Sequence, residues 1–367
     1  VKGDKGIIDV EYDGCTSLPT EFFVKFNLQS LSAIPMRLLG ETSEVCRCEA
    51  LFYHHLSNTV SIPSPKCYFV DYNDVTGEFV LLAELIRFGE GDVLPLKHRI
   101  RHQTTLEEQR TFVVAGATLN AQFWGGGHSA LAQILRFDHT HRRMWLMTQM
   151  MAKFNLHHTT QRTLKGRKIN GEFMTWQPPP GLLGKERELI RDMPCILTSL
   201  CNEEDMLAFG HNDWTTDNAY FKRGIEGLEC GLFDWQQSCF NNVGQEWAWN
   251  FHFLRPEFLD EHESDLIDLI LQTYLEQGIQ LERSRFLNAY VLGTVQMYVF
   301  GGAGLQMLMG ALDKRGLLQT LVPEDPRCLD ASLDKELQEK LIGAEMTRRT
   351  FTNVCNIMRR HDFVGAW

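Results

Sequence analysis

The feature that most constrains this chain is a short polar stretch joined to a predicted β-hairpin. Two β-prone runs, 218–221 and 228–233, flank the segment 222–227, whose two glycines favour a hairpin turn. Antiparallel pairing brings the open ends of such a hairpin together. Asn218 at its start and Asp234 just past its end can therefore offer oxygen ligands to one hard cation, and magnesium suits such a site.

A third polar residue, Asp213, lies five residues before Asn218, in the stretch His211-Asn212-Asp213. On a loop beside the metal, a carboxylate can accept the proton of an attacking hydroxyl. The order His-x-Asp, then Asn, then Asp after an apolar strand is typical of the catalytic and metal-binding residues of kinases. The pattern therefore predicts phosphotransfer chemistry.

Composition narrows the possible partners. The chain has 367 residues, of which 44% are hydrophobic and 23% charged, an ordinary globular balance with room for two lobes. Its formal net charge of -11 argues against a nucleic-acid surface and is compatible with a neutral or cationic small substrate. Ten cysteines without a C-x-x-C pair, several in apolar runs, predict reduced thiols and a cytoplasmic location.

The first part of the chain is predicted to form a small antiparallel sheet. Two pairs of β-prone runs are each separated by a turn containing glycine, and a polar, glycine-rich segment after the last run is predicted to be a linker between lobes. The two pairs are 7–12 with 20–27 and 67–70 with 79–84, and the linker is 85–92.

Lys25 is the cation within the second of these strands, and a helix is predicted at 42–58. A kinase needs a strand lysine to hold the nucleotide's phosphates and a helix glutamate to orient that lysine. Glu49 and Glu44 both compete for this role, and we favour Glu49 because Glu44 lies in the first turn, where it can complement the helix dipole. An edge-strand lysine that faces water is the alternative for Lys25.

From Thr105 the pattern is mainly helical. The uncharged run 289–312 is long enough to span a membrane, but it contains Gln296, Gln306 and four small residues at 301–304. We therefore favour a buried helix that breaks at those glycines over a membrane span. The predicted helices are 106–124, ending at three glycines, 259–277, 281–300 and 332–360.

Two other clusters suggest different chemistry. The histidines at 138–141 and 157–158 could bind zinc, as in a metal hydrolase, but neither cluster has the ligand spacing of a closed site. Trp235, Trp247 and Trp249 could surround a quaternary amine by cation–π attraction. We favour a core role for these tryptophans.

Together these residues resemble the aminoglycoside phosphotransferase and choline kinase-like family, and most closely its ecdysteroid kinase-like group. The resemblance covers residues 5 to about 255. It rests on Phe23-Val24-Lys25-Phe26, Glu49-Ala50-Leu51-Phe52-Tyr53, Phe79 to Leu85, Leu119 to Trp124, His211 to Asn218, and Phe233-Asp234-Trp235-Gln236.

The resemblance implies an α+β, two-lobed protein-kinase-like fold. A small antiparallel-sheet N-lobe would occupy 1–84, a hinge 85–92, and a large, mainly helical C-lobe 93–367. The implied activity is ATP- and Mg2+-dependent transfer of the γ-phosphate to a hydroxyl of a small molecule, without nucleic-acid or membrane partners. The implied roles are catalysis for Asp213 and His211, ATP binding for Lys25, Glu49, Glu84 and Ile86, and magnesium binding for Asn218 and Asp234.

The sequence departs from the family pattern at four points. Asn212 replaces a usual glycine, Asn120 replaces a frequent histidine, and Trp214 lies one place earlier than in related enzymes. Few residues precede the Lys25 strand, so only Gly3 and Gly6 could belong to the loop that covers the phosphates, and this loop is predicted to be truncated. The alternative function is therefore a catalytically inactive, kinase-like binding or interaction protein.

Overall fold

The protein belongs to the α+β class, with a small antiparallel sheet and a mainly helical remainder. A computed structural model describes residues 4–14, 17–27, 41–95, 104–127, 131, 172–173, 177–225, 227–313, 316–330 and 332–367, with no side chains for 41–45, 186, 216 and 300–313. The predicted zinc clusters at 138–141 and 157–158 lie outside these ranges.

The described helices and strands follow one another in a simple order. They are β1 (Asp4–Asp9), β2 (Glu21–Asn27), α1 (Glu41–His55), β3 (Cys67–Tyr72), β4 (Phe79–Glu84), α2 (Leu106–Gln122), α3 (Glu186–Cys201), β5 (Leu207–Gly210), β6 (Ala219–Gly224), β7 (Gly227–Leu232), β8 (Cys239–Asn242), α4 (Val243–Phe251), α5 (Pro256–Glu276), α6 (Arg283–Asp313), α7 (Lys335–Arg360) and α8 (Phe363–Ala366).

The chain divides into two compact units. The first contains residues 1–97, 105–143 and 208–241, and the second contains 98–104, 144–207 and 242–367. The predicted hinge at 85–92 lies inside the first unit, together with the sheet and the stretch 211–234. The predicted lobe boundary stays a prediction.

The sheet of the first unit has the strand order β1-β2-β4-β3, with every neighbouring pair antiparallel. Both predicted hairpins are present. The first strand is shifted, because Asp4–Asp9 rather than 7–12 pairs with β2. β2 lies between two neighbours, so Lys25 is opposite Lys5 on one side and Leu81 on the other. The alternative of an edge-strand lysine is therefore excluded.

Helix α1 packs its apolar side into the core of the same unit. It is slightly shorter than the predicted helix 42–58. Phe52 and Leu56 are fully buried in a cluster that also contains Leu81 and Trp235. Burying an aromatic or leucine side chain of this kind contributes roughly 1.5–3 kcal/mol, so the contact fixes the helix, and with it Glu49, against the sheet.

The hairpin predicted between 218 and 233 is confirmed, with a tighter turn than expected. β6 and β7 pair from Ala219 opposite Leu232 to Gly224 opposite Gly227. The predicted six-residue connection is wrong at both of its ends, because Lys222–Gly224 continues the first strand and Gly227 begins the second.

Helix α2 begins with a capping box formed by Thr105 and Glu108. The chain after it passes through two glycines with positive φ, as the predicted end of this helix requires.

The second unit is mainly helical, and its helices cross at small residues. A side chain on Gly244 of α4 would approach the Ala289 methyl to 2.6 Å, so only glycine permits this contact between α4 and α6. The predicted break of α6 at 301–304 is wrong, since the helix continues to Asp313. None of the helices that the structure describes is long and apolar enough to cross a membrane.

All nine cysteines in the described part of the chain are free thiols, as predicted.

Candidate active site

Lys25 is the centre of a buried charge cluster in the first unit. Its side chain is 2% exposed, and its ammonium lies 2.7 Å from Glu49 Oε2. The same ammonium donates to Asp234 Oδ1 at 2.6 Å. The structure thus joins three residues that are far apart in the chain and that the sequence grouped together. The predicted preference for Glu49 agrees with this ion pair, and the side chain of Glu44 is not among those described.

The charges in this cluster are set by competition between burial and ion pairing. Burial lowers the pKa of Lys25, but the carboxylates of Glu49 and Asp234 outweigh it and the net pKa is raised. Burial raises the pKa of Asp234, but the ammonium groups of Lys25 and Lys5 hold it well below its usual range. Burial, together with the nearby carboxylate of Asp234, raises the pKa of Glu49 although Lys25 lowers it. At neutral pH Lys25 is therefore cationic and Asp234 anionic.

The hairpin places Asp234 beside Asn218, as predicted. The backbone N–H of Phe233 donates to the Asn218 carbonyl at 3.1 Å, which closes the open end of the hairpin. Asp234 then adopts a left-handed conformation, with φ 68° and ψ 59°. Asp and Asn tolerate this region better than most residues, and it is often found at functional sites.

Asp213 and Asn218 are joined by direct hydrogen bonds. The amide nitrogen of Asn218 donates to the Asp213 carbonyl at 2.9 Å and to Asp213 Oδ2 at 3.0 Å. These bonds fix the orientation of both side chains. Because the Asn218 nitrogen points at Asp213, its Oδ1 is the atom that it can offer to a cation.

The donor set of Asn218 and Asp234 fits magnesium. Both residues offer hard oxygen ligands, and Mg2+ is commonly held by one or two protein oxygens together with substrate phosphates. Asn218 and Asp234 are only two ligands, and among the described residues no larger group of three or more His, Cys, Asp or Glu side chains could hold a metal ion.

His211 is completely buried behind the loop rather than at its surface. Its Nε2 is 3.1 Å from the Phe233 carbonyl, and its ring centroid is 4.7 Å from that of Trp235. Burial lowers its pKa to about 4, against opposition from backbone groups of Phe233 and Asp213. His211 is thus a neutral side chain that contacts the residue before Asp234, and we interpret it as a positioning residue.

This burial makes the protein sensitive to acid. A histidine with a depressed native pKa stabilises the fold above about pH 6.5, and this contribution is lost as the pH falls towards 4. Between pH 7 and pH 5, His211 accounts for a fall of about 2 kcal/mol in the free energy of unfolding, from roughly 1.5 pKa units at about 1.36 kcal/mol each. In urea unfolding, we therefore expect the free energy of unfolding of His211→Gln to fall by about 2 kcal/mol less than that of wild type over this interval.

The control for this measurement is His55→Gln, since His55 is exposed. Between pH 7 and pH 5, the free energy of unfolding of this variant should fall by as much as that of wild type. Equal losses in wild type and His211→Gln would show that His211 is not buried in its neutral form.

Asn212 explains one departure from the family pattern. Its φ is 54°, so the position requires the left-handed conformation that glycine adopts without strain. Asparagine is one of the few other residues that adopt it routinely. The side chain also donates to the carbonyls of Gly210 and Cys239 at 3.2 and 3.1 Å and accepts from Asn241 at 2.8 Å. The substitution is therefore compatible with the loop geometry.

Asn120, the second departure, holds the strand that leads into the loop. It is buried on α2, and its amide donates to the Phe209 carbonyl of β5 at 3.2 Å. Trp214, the third departure, is buried with its ring edge-to-face against Phe112 of α2. Both residues fix the loop from the α2 side.

The aromatic cage hypothesis is wrong for the two buried tryptophans. Trp235 stacks on Phe52 of α1 with centroids 3.7 Å apart and an interplanar angle of 9°. Trp247, in the second unit, is fully buried and donates to the Tyr274 hydroxyl at 2.9 Å. Both are core residues, and the Phe52–Trp235 stack ties the helix that carries Glu49 to the segment that carries Asp234.

A cavity of about 240 Å³ opens beside the charge cluster. Lys25, Glu49 and Asp234 supply charged groups to its lining, and Phe23 and Leu81 are among its apolar residues. The predicted ATP-binding residues Glu84 and Ile86 also line it, together with Ala83, Leu85, Phe88 and Phe233. Such a combination of apolar surface and a few charged groups is typical of small-molecule sites.

The structure adds one cation that sequence analysis missed. Lys5 of β1 lines the same cavity, and its ammonium donates to Asp234 Oδ2 at 3.1 Å. Its register opposite Lys25 is the signal that could have identified it, but the predicted first strand began at Ile7. Gly6, a candidate for the phosphate loop, lies within β1 opposite Val24, and Gly3 is outside the described residues.

No protein-family model matches the chain, and a search of curated proteins found no match. Among solved structures, the chain is similar to a microcompartment-associated aminopropanol kinase, with 11% identity over 94% of this chain and 87% of the other, and a TM-score of 0.47. A choline/ethanolamine kinase family protein from Mesorhizobium loti has 14% identity over 89% and 87%, with a TM-score of 0.41. An ethanolamine kinase from Plasmodium vivax has 13% identity over 82% of this chain and 74% of the other, with a TM-score of 0.42. Identities of 11–14% and TM-scores below 0.5 do not identify the function of this chain.

Proposed function

We propose that this protein is a phosphotransferase that uses Mg-ATP to phosphorylate a hydroxyl group of a small molecule. The observation that carries the proposal is the buried Lys25 ammonium between Glu49 and Asp234, at 2.7 and 2.6 Å, on the wall of a cavity. A buried ion pair stabilises a fold only weakly, because desolvation offsets most of the attraction. A charged cluster at a cavity is therefore better explained by a charged ligand.

In this proposal, the charge cluster binds the phosphate end of the nucleotide. Lys25 is held in place by Glu49 and faces the phosphates as a fixed positive charge. Asn218 and Asp234 would hold magnesium, which neutralises charge on the phosphates when bound. Phosphoryl transfer needs mainly positioning and charge stabilisation, so these fixed groups supply most of the catalysis.

Asp213 is the proposed catalytic base. Its carboxylate is half-buried, and Asn218 donates to one of its oxygens, which orients the group. A carboxylate held in this way can align the acceptor hydroxyl and take its proton as the phosphoryl group is transferred. His211 supports the same loop from behind through the Phe233 carbonyl.

The apolar part of the cavity lining is the proposed adenine site. Ala83 is small, and Phe23, Leu81 and Phe233 offer flat or apolar surface to a base. Glu84, the last residue of β4, and Ile86, in the predicted hinge, are the proposed nucleotide-binding residues of this segment.

The acceptor is proposed only as a class. The resemblance of the sequence suggests either a cationic amino alcohol or aminoglycoside, which the net charge of -11 would attract, or a hydroxylated lipid or steroid. We propose that the protein acts in the cytoplasm, and the free thiols of the described cysteines support a reducing compartment.

Nucleotide binding and turnover test this function directly. We expect Mg-ATP at a hundred times its dissociation constant to stabilise the protein by about 2.7 kcal/mol, which thermal unfolding would detect. ATP consumption should then depend on a hydroxylated acceptor, chosen from a panel with choline, ethanolamine, an aminoglycoside and a hydroxysteroid. A protein that neither binds nor consumes Mg-ATP would contradict the proposal.

An inactive, kinase-like binding protein is the second candidate. It is favoured by Gly6, which lies in a strand and not in a loop over the phosphates. It is weakened by the presence of Asp213, Asn218, Asp234 and Lys25, because inactive kinases usually lose one of these groups. Stabilisation by Mg-ATP without turnover of any acceptor in the panel would support this candidate.

A further inference from the structure

Lys5 and Lys25 form a pair of ammonium groups on one carboxylate. The two residues are directly opposite in the β1–β2 register, so their side chains lie on the same face of the sheet. Lys25 Nζ contacts Asp234 Oδ1 at 2.6 Å, and Lys5 Nζ contacts Oδ2 at 3.1 Å. Both oxygens of the proposed metal ligand are therefore engaged by lysines.

The two lysines differ in how firmly they are held. Lys25 is 2% exposed and is also bound to Glu49, whereas the side chain of Lys5 is 46% exposed. An ion pair exposed to this degree is screened by water and exchanges easily. A metal ion on Asp234 would repel both ammonium groups, and Lys5 is the less firmly held of the two and the one that is free to move away.

A released Lys5 remains inside the cavity. Its side chain lines the same cavity as Lys25 and Asp234, on a flexible four-carbon stem. Lysine binds phosphate as a mobile point charge, without the fixed geometry of arginine. The position therefore suits a negatively charged group that lies above Asp234.

We propose that Lys5 is a second phosphate-binding residue, which neutralises Asp234 in the absence of nucleotide and transfers its ammonium to the phosphates of the bound nucleotide. This inference rests on the proposed function of the site. It gives β1, which contains Lys5 and Gly6, a direct role at the phosphates. Lys5 and Lys25 would then hold the phosphates from two adjacent strands.

Calorimetric titration of the full chain with Mg-ATP, Mg-ADP and adenosine tests this proposal. We expect Lys5→Met to weaken the binding of Mg-ATP about tenfold, which corresponds to the loss of one charge-assisted contact. The binding of Mg-ADP should weaken less because ADP has one phosphate fewer. Adenosine should bind with unchanged affinity because it has no phosphate. Lys5→Arg keeps the charge and should restore most of the affinity. Lys335→Met, at an exposed position at the start of α7, is the control for net charge.

The outcomes separate this proposal from the function on which it rests. Wild-type affinity for Mg-ATP in Lys5→Met would overturn the role of Lys5 and leave the kinase proposal intact. Tighter Mg-ATP binding in that variant would also overturn it, because Lys5 would then only block the site. Equal weakening of Mg-ATP and adenosine would show a structural effect and contradict phosphate binding. A wild type that binds adenosine but not Mg-ATP would overturn both proposals.

Discussion

Replacing Asp213 by Asn is expected to lower the rate of phosphate transfer by about 10²–10⁴-fold, the range for loss of a general base. The amide of the variant cannot accept the proton of the acceptor hydroxyl. It can still accept the hydrogen bond from Asn218 Nδ2 that orients the native carboxylate at 3.0 Å. Binding of Mg-ATP should therefore remain close to wild type, since the proposed phosphate and metal ligands are unchanged.

Single-turnover kinetics with saturating Mg-ATP would measure this effect separately from nucleotide affinity. Asp265→Asn is the matched control, because Asp265 is exposed on α5 and lies in the second unit, whereas Asp213 lies in the first. A fall in Mg-ATP affinity as large as the fall in rate would mean that Asp213 acts through the metal site. An unchanged rate would exclude Asp213 as the base.

The parts of the site that depend on local structure could be predicted from the sequence. A hairpin brings its own ends together, so Asn218 and Asp234 were expected to be neighbours once the two strands and their glycines were recognised. The bond between Phe233 N and the Asn218 carbonyl agrees with that expectation. The same holds for Glu49, because its place in the middle of a helix left it free to face the sheet.

The contributions that depend on strand register and burial could not be predicted in this way. Lys5 was missed because strand ends are set by the ladder, and Asp4 to Gly6 pair with Val24 to Phe26 although they are polar or small. The burial of His211 depends on Phe233 and Trp235, which are distant in the chain. Local sequence patterns do not indicate contacts between residues that are distant in the chain.

The glycines of α6 show the opposite error. Each glycine in a helix interior costs about 1 kcal/mol relative to alanine, which favours a break when the helix is considered alone. Tertiary packing can offset such a cost. Gly293 of the same helix lies so close to α4 that a side chain would approach Gln245 Cα to 2.6 Å. Small residues thus weaken this helix when it is considered alone, and they also permit its close packing against α4.

Lys25→Met is expected to lower the free energy of unfolding by about 3–5 kcal/mol, the usual cost of removing one partner from a buried ion pair. Methionine preserves the length and apolar stem of lysine, so the main change is the loss of charge. Glu49, whose side chain is 1% exposed, would then be a buried carboxylate without its cation. Because burial already raises the pKa of Glu49, protonation should relieve part of this cost at pH 5 compared with pH 8.

The double variant Lys25→Met/Glu49→Gln separates stability from catalysis. With both charges removed, the buried carboxylate of Glu49 is gone and Asp234 keeps its ion pair with Lys5, so we expect the double variant to recover most of the lost stability in urea unfolding. Phosphate transfer should remain absent, because the cation proposed to hold the phosphates is still missing. The exposed pair Lys340–Glu336 of α7 is the control, and Lys340→Met should cost at most about 0.5 kcal/mol. Strictly additive losses in the double variant would contradict a buried ion pair, whereas recovery of activity would contradict the role of Lys25 in binding phosphate.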